Sequence, residues 1–244
     1  MSASTLSSAQ PARRAPRRFY VALSAFITLI VFVGFWPTYF GPLVGGTVDK
    51  IPFIHFHAAI YVGWLALFIT QTVLAASGRT RLHIKLGKAG IAYGIVILVV
   101  GVAVSFVMFA IRVRAGQMER AQLSLLAPLV DMVVFAPFFA AAVYYRNKPE
   151  WHKRLMIVAT TSLLIAAAGR MTLLGTPPNP WLVRLVWVSP ILLAMAYDLA
   201  KRRTVHPIYV TGVVVLIAEG TWRSGARQSE TWAEICRWLA TFFV

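Results

Sequence analysis

Three histidines stand in the short basic segments that separate the long apolar stretches of this chain: His83, His152 and His206. Each lies just before, or in the first turn of, a predicted helix, where the positive end of the helix dipole disfavours an imidazolium ion. The neutral imidazole that remains is the metal-binding form. These rings could hold a transition metal, with Asp198 as an oxygen ligand or as an acceptor for a ligating ring, and two of them could hold a haem.

Two other interpretations of these histidines remain open. Interfacial histidines among lysines and arginines can cap helices or contact phospholipid headgroups, and neutral imidazoles can also pass protons. No H-x-x-x-H or H-E-x-x-H spacing occurs that would favour a metal site. A capping or lipid-contacting role, a metal or haem site, and a proton relay are therefore all compatible with the sequence.

An outer polar pocket is predicted from four ionisable residues that lie inside predicted membrane spans: His57, Asp131, Arg170 and Glu219. From the helical rise, Asp131, Arg170 and Glu219 lie about 12, 6 and 5 Å from the predicted outer ends of their spans. Asp131 and Arg170 belong to successive helices, so we expect them to form an ion pair. That pair could simply set the register of two helices. It could also belong to an outward-facing polar pocket, since ionisable residues within membranes commonly mark functional sites.

The composition indicates which elements must position these residues. Hydrophobic residues make up 59% of the 244-residue chain and charged residues only 13%, which is too little polar surface to enclose a water-soluble core. Inside a bilayer the backbone groups must bond within their own segment, so the apolar stretches are predicted to be helices. The single cysteine, Cys236, excludes an internal disulfide and a cysteine-based zinc or iron–sulfur site.

The hydropathy pattern predicts an all-α membrane protein with a bundle of seven transmembrane helices. The predicted spans are 19–36, 53–76, 89–111, 123–145, 155–174, 181–200 and 207–222. Outside the spans, one side of the membrane receives 15 lysines and arginines and the other receives 7. The positive-inside rule therefore predicts a cytoplasmic N-terminus and a periplasmic or extracellular C-terminus. The same rule accounts for the net charge of +16 without a nucleic-acid partner.

Three regions follow from this topology. Residues 1–18 are predicted to be a disordered basic cytoplasmic tail, residues 19–222 the bundle, and residues 223–244 an outer tail. The tail contains a T-x-x-E capping box at Thr231 and Glu234, followed by an amphipathic helix expected to lie on the membrane surface. The apolar face of this helix comprises Trp232, Ile235, Cys236, Leu239 and Phe243. The expected partners are the lipid bilayer and either another membrane protein or a second copy of the chain.

Dispersed residues between roughly 50 and 215 resemble a family of small bacterial inner-membrane proteins classed as a domain of unknown function. The resemblance is carried by His57, Trp64 and Gln71, which share one helical stripe, by Arg81-Leu82-His83-x-x-Leu86-Gly87, by His152-Lys153-Arg154-Leu155-Met156, by Arg170, and by Asp198 followed by His206-Pro207. It implies a multi-pass protein of the bacterial inner membrane, and it supplies no reaction.

The function predicted from these residues is a metal- or haem-binding membrane protein of the redox type that uses the three histidines on the basic side. The first alternative is a proton-coupled small-molecule transporter that uses the outer polar pocket, although the sequence contains no visible inverted repeat or broken helix pair. The second alternative is a structural scaffold that binds other membrane proteins through a glycine-rich helix face around Gly90-x-x-x-Gly94.

Overall fold

The computed structural model describes residues 16–171 and 179–243. Most of the predicted N-terminal tail and the end of the fifth predicted span lie outside these residues. The described residues form ten α-helices and no β-strand, which confirms the all-α prediction. The helices are α1 (Pro16–Phe35), α2 (Gly41–Val44), α3 (Pro52–Ala76), α4 (Thr80–Arg114), α5 (Met118–Tyr144), α6 (Pro149–Ser162), α7 (Ile165–Ala168), α8 (Pro180–Arg202), α9 (Pro207–Ala226) and α10 (Glu230–Ala240).

Five segments of the described chain are long and apolar enough to cross a membrane, as a multi-pass membrane protein requires. These segments are Arg18–Val44, Pro52–Ala76, Thr80–Arg114, Met118–Asn147 and Pro180–Arg202, and they match the first four predicted spans and the sixth. Helix α6 is too short to count among them, with 14 residues. Helix α9 has 20 residues, but it includes Glu219 and Arg223, whose charges lower its hydropathy.

Helix α6 occupies the centre of the packing, where it contacts α5, α8 and α9. Its Ile157 and Val158 join Trp187 of α8 and Leu216 of α9 in the main apolar core. One end of the bundle, which we call the basic end, is defined by contacts between helix termini. These termini are the starts of α1, α4, α6 and α9 and the end of α8. The opposite end, which we call the distal end, contains the turn between α4 and α5 and the end of α9.

The fifth predicted span is interrupted between α6 and α7, whereas the sequence predicted one continuous helix. At the break, the N–H groups of Leu163 and Leu164 donate to carbonyls only three residues earlier, those of Thr160 (3.3 Å) and Thr161 (3.0 Å). The Thr161 carbonyl also accepts a hydrogen bond from the indole Nε1 of Trp187 on α8, at 3.0 Å. A tertiary hydrogen bond from a distant helix therefore supports the break, which is why local sequence did not predict it.

Helix α10 forms where the amphipathic helix was predicted, but its cap and its packing differ from the prediction. The cap is Ser229, whose hydroxyl accepts from the N–H of Trp232 at 3.2 Å, so the predicted capping box at Thr231 and Glu234 is wrong. On the predicted membrane-facing side, Cys236 is fully buried against other helices. The helix is therefore a packed part of the bundle's distal end.

Candidate functional site

A buried group of three charges lies near the distal end of the bundle, and we call it the distal cluster. Arg223 of α9 donates from Nε to Glu219, one turn earlier on the same helix, and from Nη2 to Asp131 of α5, each at 2.5 Å. The side chains of Arg223, Asp131 and Glu219 are only 9%, 11% and 7% exposed. The expected pair of Asp131 with Arg170 is therefore wrong, because Arg223 takes that position.

The distal cluster holds two carboxylates on one guanidinium. In the described structure, Glu219 Oε2 is buried and has no hydrogen-bond partner, whereas Glu219 Oε1 accepts from Arg223. An unpartnered carboxylate oxygen in a low-dielectric site costs free energy, and a proton on that oxygen removes the cost. The cluster therefore contains a definite position at which a proton can bind.

Among the described residues, the other two members of the predicted outer pocket make no hydrogen bond to the distal cluster and have other contacts. Arg170 follows α7, donates to the Ala166 carbonyl at 2.6 Å, and lies over the ring of Phe35 at 4.8 Å. His57 of α3 packs on the ring of Tyr61, with 4.3 Å between the ring centroids. The predicted pocket is thus brought together only in part, with Arg223 as its central cation.

Arg223 was missed because the last predicted span ends at residue 222, which places Arg223 in the predicted outer tail. Helix α9 continues to Ala226, so Arg223 lies inside it and is buried. The spacing of Glu219 and Arg223, four residues apart, was a usable signal, because residues with this spacing face each other on a helix.

A second group of five charges, which we call the basic-end cluster, lies at the other end of the bundle. Arg154 of α6 binds Asp198 of α8 through a fork, with Nη2 2.8 Å from Oδ1 and Nε 3.1 Å from Oδ2. Both side chains are essentially unexposed, at 0% and 1%. Glu150 accepts from Arg154 at 2.7 Å, from Lys153 at 2.6 Å and from Arg202 at 2.6 Å. Asp198 therefore binds a guanidinium, where the sequence suggested a metal ligand or an imidazole partner.

In the basic-end cluster, the carboxylate oxygens of both acids are hydrogen-bonded. Partial burial alone would raise the pKa of Glu150, but the hydrogen bonds from Arg154 and Lys153 outweigh it and lower this pKa to about 2. Two tyrosines cover the cations, with Lys153 4.9 Å above the ring of Tyr20 and Arg154 5.5 Å from the ring of Tyr209. Such a network holds helices together and leaves no carboxylate oxygen free for a ligand.

The three basic-side histidines do not meet around one point. His83 and His152 lie 6.3 Å apart between ring centroids. His206 instead packs edge-on against Trp151 at 5.1 Å, and its Nδ1 accepts from the N–H of Ile208 as the cap of α9. Within the described ranges, no group of three or more His, Cys, Asp or Glu side chains is arranged to hold a metal ion.

The two neighbouring imidazoles each make contacts through Nδ1. When the Gln71 carboxamide is oriented so that both of its ends are hydrogen-bonded, its nitrogen lies 2.6 Å from His83 Nδ1 and its oxygen lies 2.8 Å from the Gly87 N–H. The main-chain carbonyl of Gln71 also lies 3.3 Å from His83 Nδ1, so the carboxamide favours an unprotonated Nδ1 and the carbonyl favours a protonated one. His152 Nδ1 lies 2.8 Å from the Ala142 carbonyl and must donate to it, which leaves Nε2 as an acceptor. Burial lowers the pKa of His152, which favours this neutral form.

Buried polar atoms without hydrogen-bond partners lie on three helices of the described bundle. They are His57 Nδ1 and Trp64 Nε1 on α3, Thr160 Oγ1 and Thr161 Oγ1 on α6, and Tyr209 OH and Glu219 Oε2 on α9. Buried polar groups in native proteins are normally hydrogen-bonded, so these atoms mark places where water or a solute can bind. They occur near the distal end, at the helix break and near the basic end.

Comparison of the chain with protein-family models, with curated proteins and with solved structures finds no match. The resemblance to a bacterial inner-membrane family therefore stays a prediction. The geometry of the two charge clusters, the imidazole pair and the unpartnered atoms is the basis for a functional conclusion.

Proposed function

We propose that this protein is a seven-span bacterial inner-membrane protein that couples the movement of a small molecule to the movement of a proton. In this proposal α6 and α7 together, and α9, complete the seven spans. Helix α9 is 20 residues long, or about 30 Å of helix, which matches the hydrocarbon layer, and the fifth span begins at Leu155, after the charged first turn of α6. The basic end then faces the cytoplasm, as the distribution of lysine and arginine favours.

The observation that carries the proposal is the unpartnered Oε2 of Glu219 in the distal cluster. Two carboxylates that share one directly bound guanidinium have one excess negative charge, and one proton neutralises it. Ionisable residues inside membrane bundles are typical of proton relays and transport paths. Protonation would weaken the bond between Glu219 and Arg223 and would leave Arg223 paired mainly with Asp131 on α5.

The interruption between α6 and α7 supports a transport role. Discontinuous helices near the middle of the membrane commonly form the binding sites of transporters, because the freed backbone and side-chain groups can bind a solute. Here the break lies next to the unpartnered hydroxyls of Thr160 and Thr161, both fully buried. The sequence alone contained no visible broken helix, so this support comes from tertiary structure.

The two other predicted functions have less support. The metal or haem hypothesis needs three converging histidines, but His206 caps α9 and packs on Trp151 and does not join His83 and His152. The scaffold hypothesis needs a free glycine face, but Gly94 is buried and a Cβ there would overlap the ring of Phe139 in the same chain.

The test measures proton binding and coupled flux in proteoliposomes. Infrared difference spectra on lowering the pH are expected to contain a buried carboxyl C=O band that Glu219→Gln removes. A panel of small solutes applied as gradients is expected to include at least one that drives proton flux, and Glu219→Gln should abolish this coupling. Glu119→Gln is the matched control, because Glu119 is an exposed glutamate in the first turn of α5.

Two results would contradict the proposal. The first is solute-driven proton flux in Glu219→Gln that equals the wild-type flux. The second is wild-type protein without a carboxyl band and without flux for any solute. A visible absorption band or stoichiometric metal that His83→Ala and His152→Ala both remove would instead favour the cofactor hypothesis.

A further inference from the structure

Helix α10 is attached to the bundle by one apolar face. Cys236 and Ala240 pack against Phe109 of α4 and against Ala121 and Leu125 of α5. Two hydrogen bonds to main-chain carbonyls add to this contact, from Trp232 Nε1 to Gln122 at 3.3 Å and from Arg114 Nε to Phe243 at 3.0 Å. This face is therefore covered by the protein and cannot be the face that meets the membrane.

A second apolar stripe on the α10 segment is exposed. Ile235, Trp238 and Phe242 are 42%, 62% and 66% exposed, and the rings of Trp238 and Phe242 lie 5.1 Å apart. Their spacing of three and four residues places them on one side of a helix, beside the buried face. These three large apolar side chains are adjacent and form a patch. Soluble proteins rarely expose such a patch to water.

The position of α10 along the bundle indicates the depth at which this stripe lies. Phe109 lies five residues before the end of α4, and Leu125 lies seven residues after the start of α5, or about 8 and 10 Å from the distal end. Amphipathic helices bury their apolar face to about 5–10 Å at the boundary between headgroups and acyl chains. Exposed Ile111 of α4 and Leu123 of α5 lie at the same level, so the stripe continues the apolar outer surface of the bundle.

We infer that α10 docks through Ile235, Trp238 and Phe242 into the phospholipid leaflet on the distal side of the membrane. Exposed Arg114, Arg120 and Arg227 belong to the neighbouring turns, where they can contact lipid phosphates. Tryptophan is suited to this depth because its ring is apolar and its N–H is polar. The inference requires that the bundle spans a membrane, but it does not depend on proton-coupled transport.

Docking would also connect the leaflet to the distal cluster. Arg223 and the first residue of α10 are only seven residues apart, joined through the turn at 227–229. A shift of α10 with the lipid surface would therefore reach the end of α9, which carries the cation of the cluster. The covered face and the lipid-facing stripe together fix α10 between the protein and the leaflet.

The test uses nitroxide labels on single cysteines of the full-length Cys236→Ala protein, in nanodiscs of phosphatidylcholine and phosphatidylglycerol. Ile235→Cys, Trp238→Cys and Phe242→Cys probe the stripe, and Thr231→Cys and Glu234→Cys, both at exposed positions, are the matched controls. Stripe labels are expected to collide more often with oxygen than with a water-soluble nickel chelate, and control labels are expected to show the reverse ratio.

Nickel accessibility at positions 238 and 242 equal to that at position 231 would overturn the inference. The inference would also be overturned if the stripe labels were protected from both probes only in nanodiscs that hold two copies of the chain. That result would show that a second copy of the chain covers the stripe. If a cysteine variant fails to fold, quenching of native Trp238 by lipids brominated near the headgroup decides the same question. The Trp238 signal is the difference between wild type and Trp238→Phe, and its quenching is the expected result.

Discussion

The two ends of the bundle each bury acids and arginines, but they balance them differently. In the basic-end cluster, three cations surround Glu150 and Asp198, and every carboxylate oxygen has a partner. In the distal cluster, a single arginine binds both acids, and one glutamate oxygen has no partner among the described residues. Burial of charge alone therefore does not identify a functional site. The distal cluster differs in that one carboxylate oxygen is unpaired in the described structure, whereas the complete pairing of the basic-end cluster is explained by a structural role.

The difference also follows the connections between helices. Arg154 and Asp198 join α6 to α8 through a rigid fork of parallel hydrogen bonds, which is the strongest geometry for a carboxylate and a guanidinium. The link between α5 and α9 is a single hydrogen bond from Arg223 to Asp131, and Arg223 also binds Glu219. A proton on Glu219 can therefore change the pairing of the distal cluster while the fork at the basic end remains closed.

The largest effect is expected when Arg154 is replaced. Arg154→Met leaves Asp198 buried without its cation, which should destabilise the protein by about 3–5 kcal/mol. Thermal unfolding in detergent measures the loss. Arg202→Met is the control within the same cluster, because Arg202 is 42% exposed and its pairs should contribute less than about 1 kcal/mol. Equal losses in the two variants would contradict the structural role assigned to the Arg154 fork.

A somewhat smaller effect is expected at the distal cluster. Arg223→Met leaves two buried carboxylates without a bound cation and should cost about 3 kcal/mol at neutral pH. Part of that loss should be recovered as the pH falls, because protonation removes both charges. Glu219→Gln, which keeps the shape and removes the excess charge, should change stability by less than about 1 kcal/mol. Unfolding midpoints measured across a pH series test both statements, and a pH-independent loss in Arg223→Met would contradict the first.

The smallest effect concerns Glu150, whose pKa is lowered to about 2 from its ordinary 4.5. A carboxylate with a lowered pKa stabilises the folded state above its ordinary pKa, and this contribution disappears as the pH falls from 4.5 towards 2. The wild-type unfolding temperature should therefore fall over that range, and Glu150→Gln should lack this component. Identical pH profiles for the two proteins would show that Glu150 contributes nothing to the pairing of the basic-end cluster.

Three of the four acids in these clusters were predicted from the sequence, but the partners expected for Asp131 and Asp198 were wrong. Asp131 and Glu219 were recognised because charges inside apolar stretches are rare, and Asp198 because it precedes a basic segment. Asp131 was paired with Arg170 because the two belong to successive helices. The structure pairs it with Arg223, 92 residues away, since α5 and α9 are neighbours in space.

The histidines show the same limit. Their location at helix starts near one end was predictable, because basic segments and helix boundaries follow from local composition. The direction of each ring was not, because it depends on distant groups. Gln71 binds His83, the Ala142 carbonyl binds His152, and His206 turns back onto its own helix. Gln71 was recognised only as a member of a polar stripe.

The sequence alone is enough to predict that the described chain is helical and that several of its helices are long and apolar enough to cross a membrane. Hydropathy and the need to satisfy the backbone act within each segment, so neighbouring residues suffice to specify them. The pairing of the charges, the break between α6 and α7 and the exposed side of α10 follow from tertiary packing. Each of these depends on contacts between helices that are distant in the chain, and a hydrogen bond or an ion pair forms only when packing brings its two groups within about 3 Å.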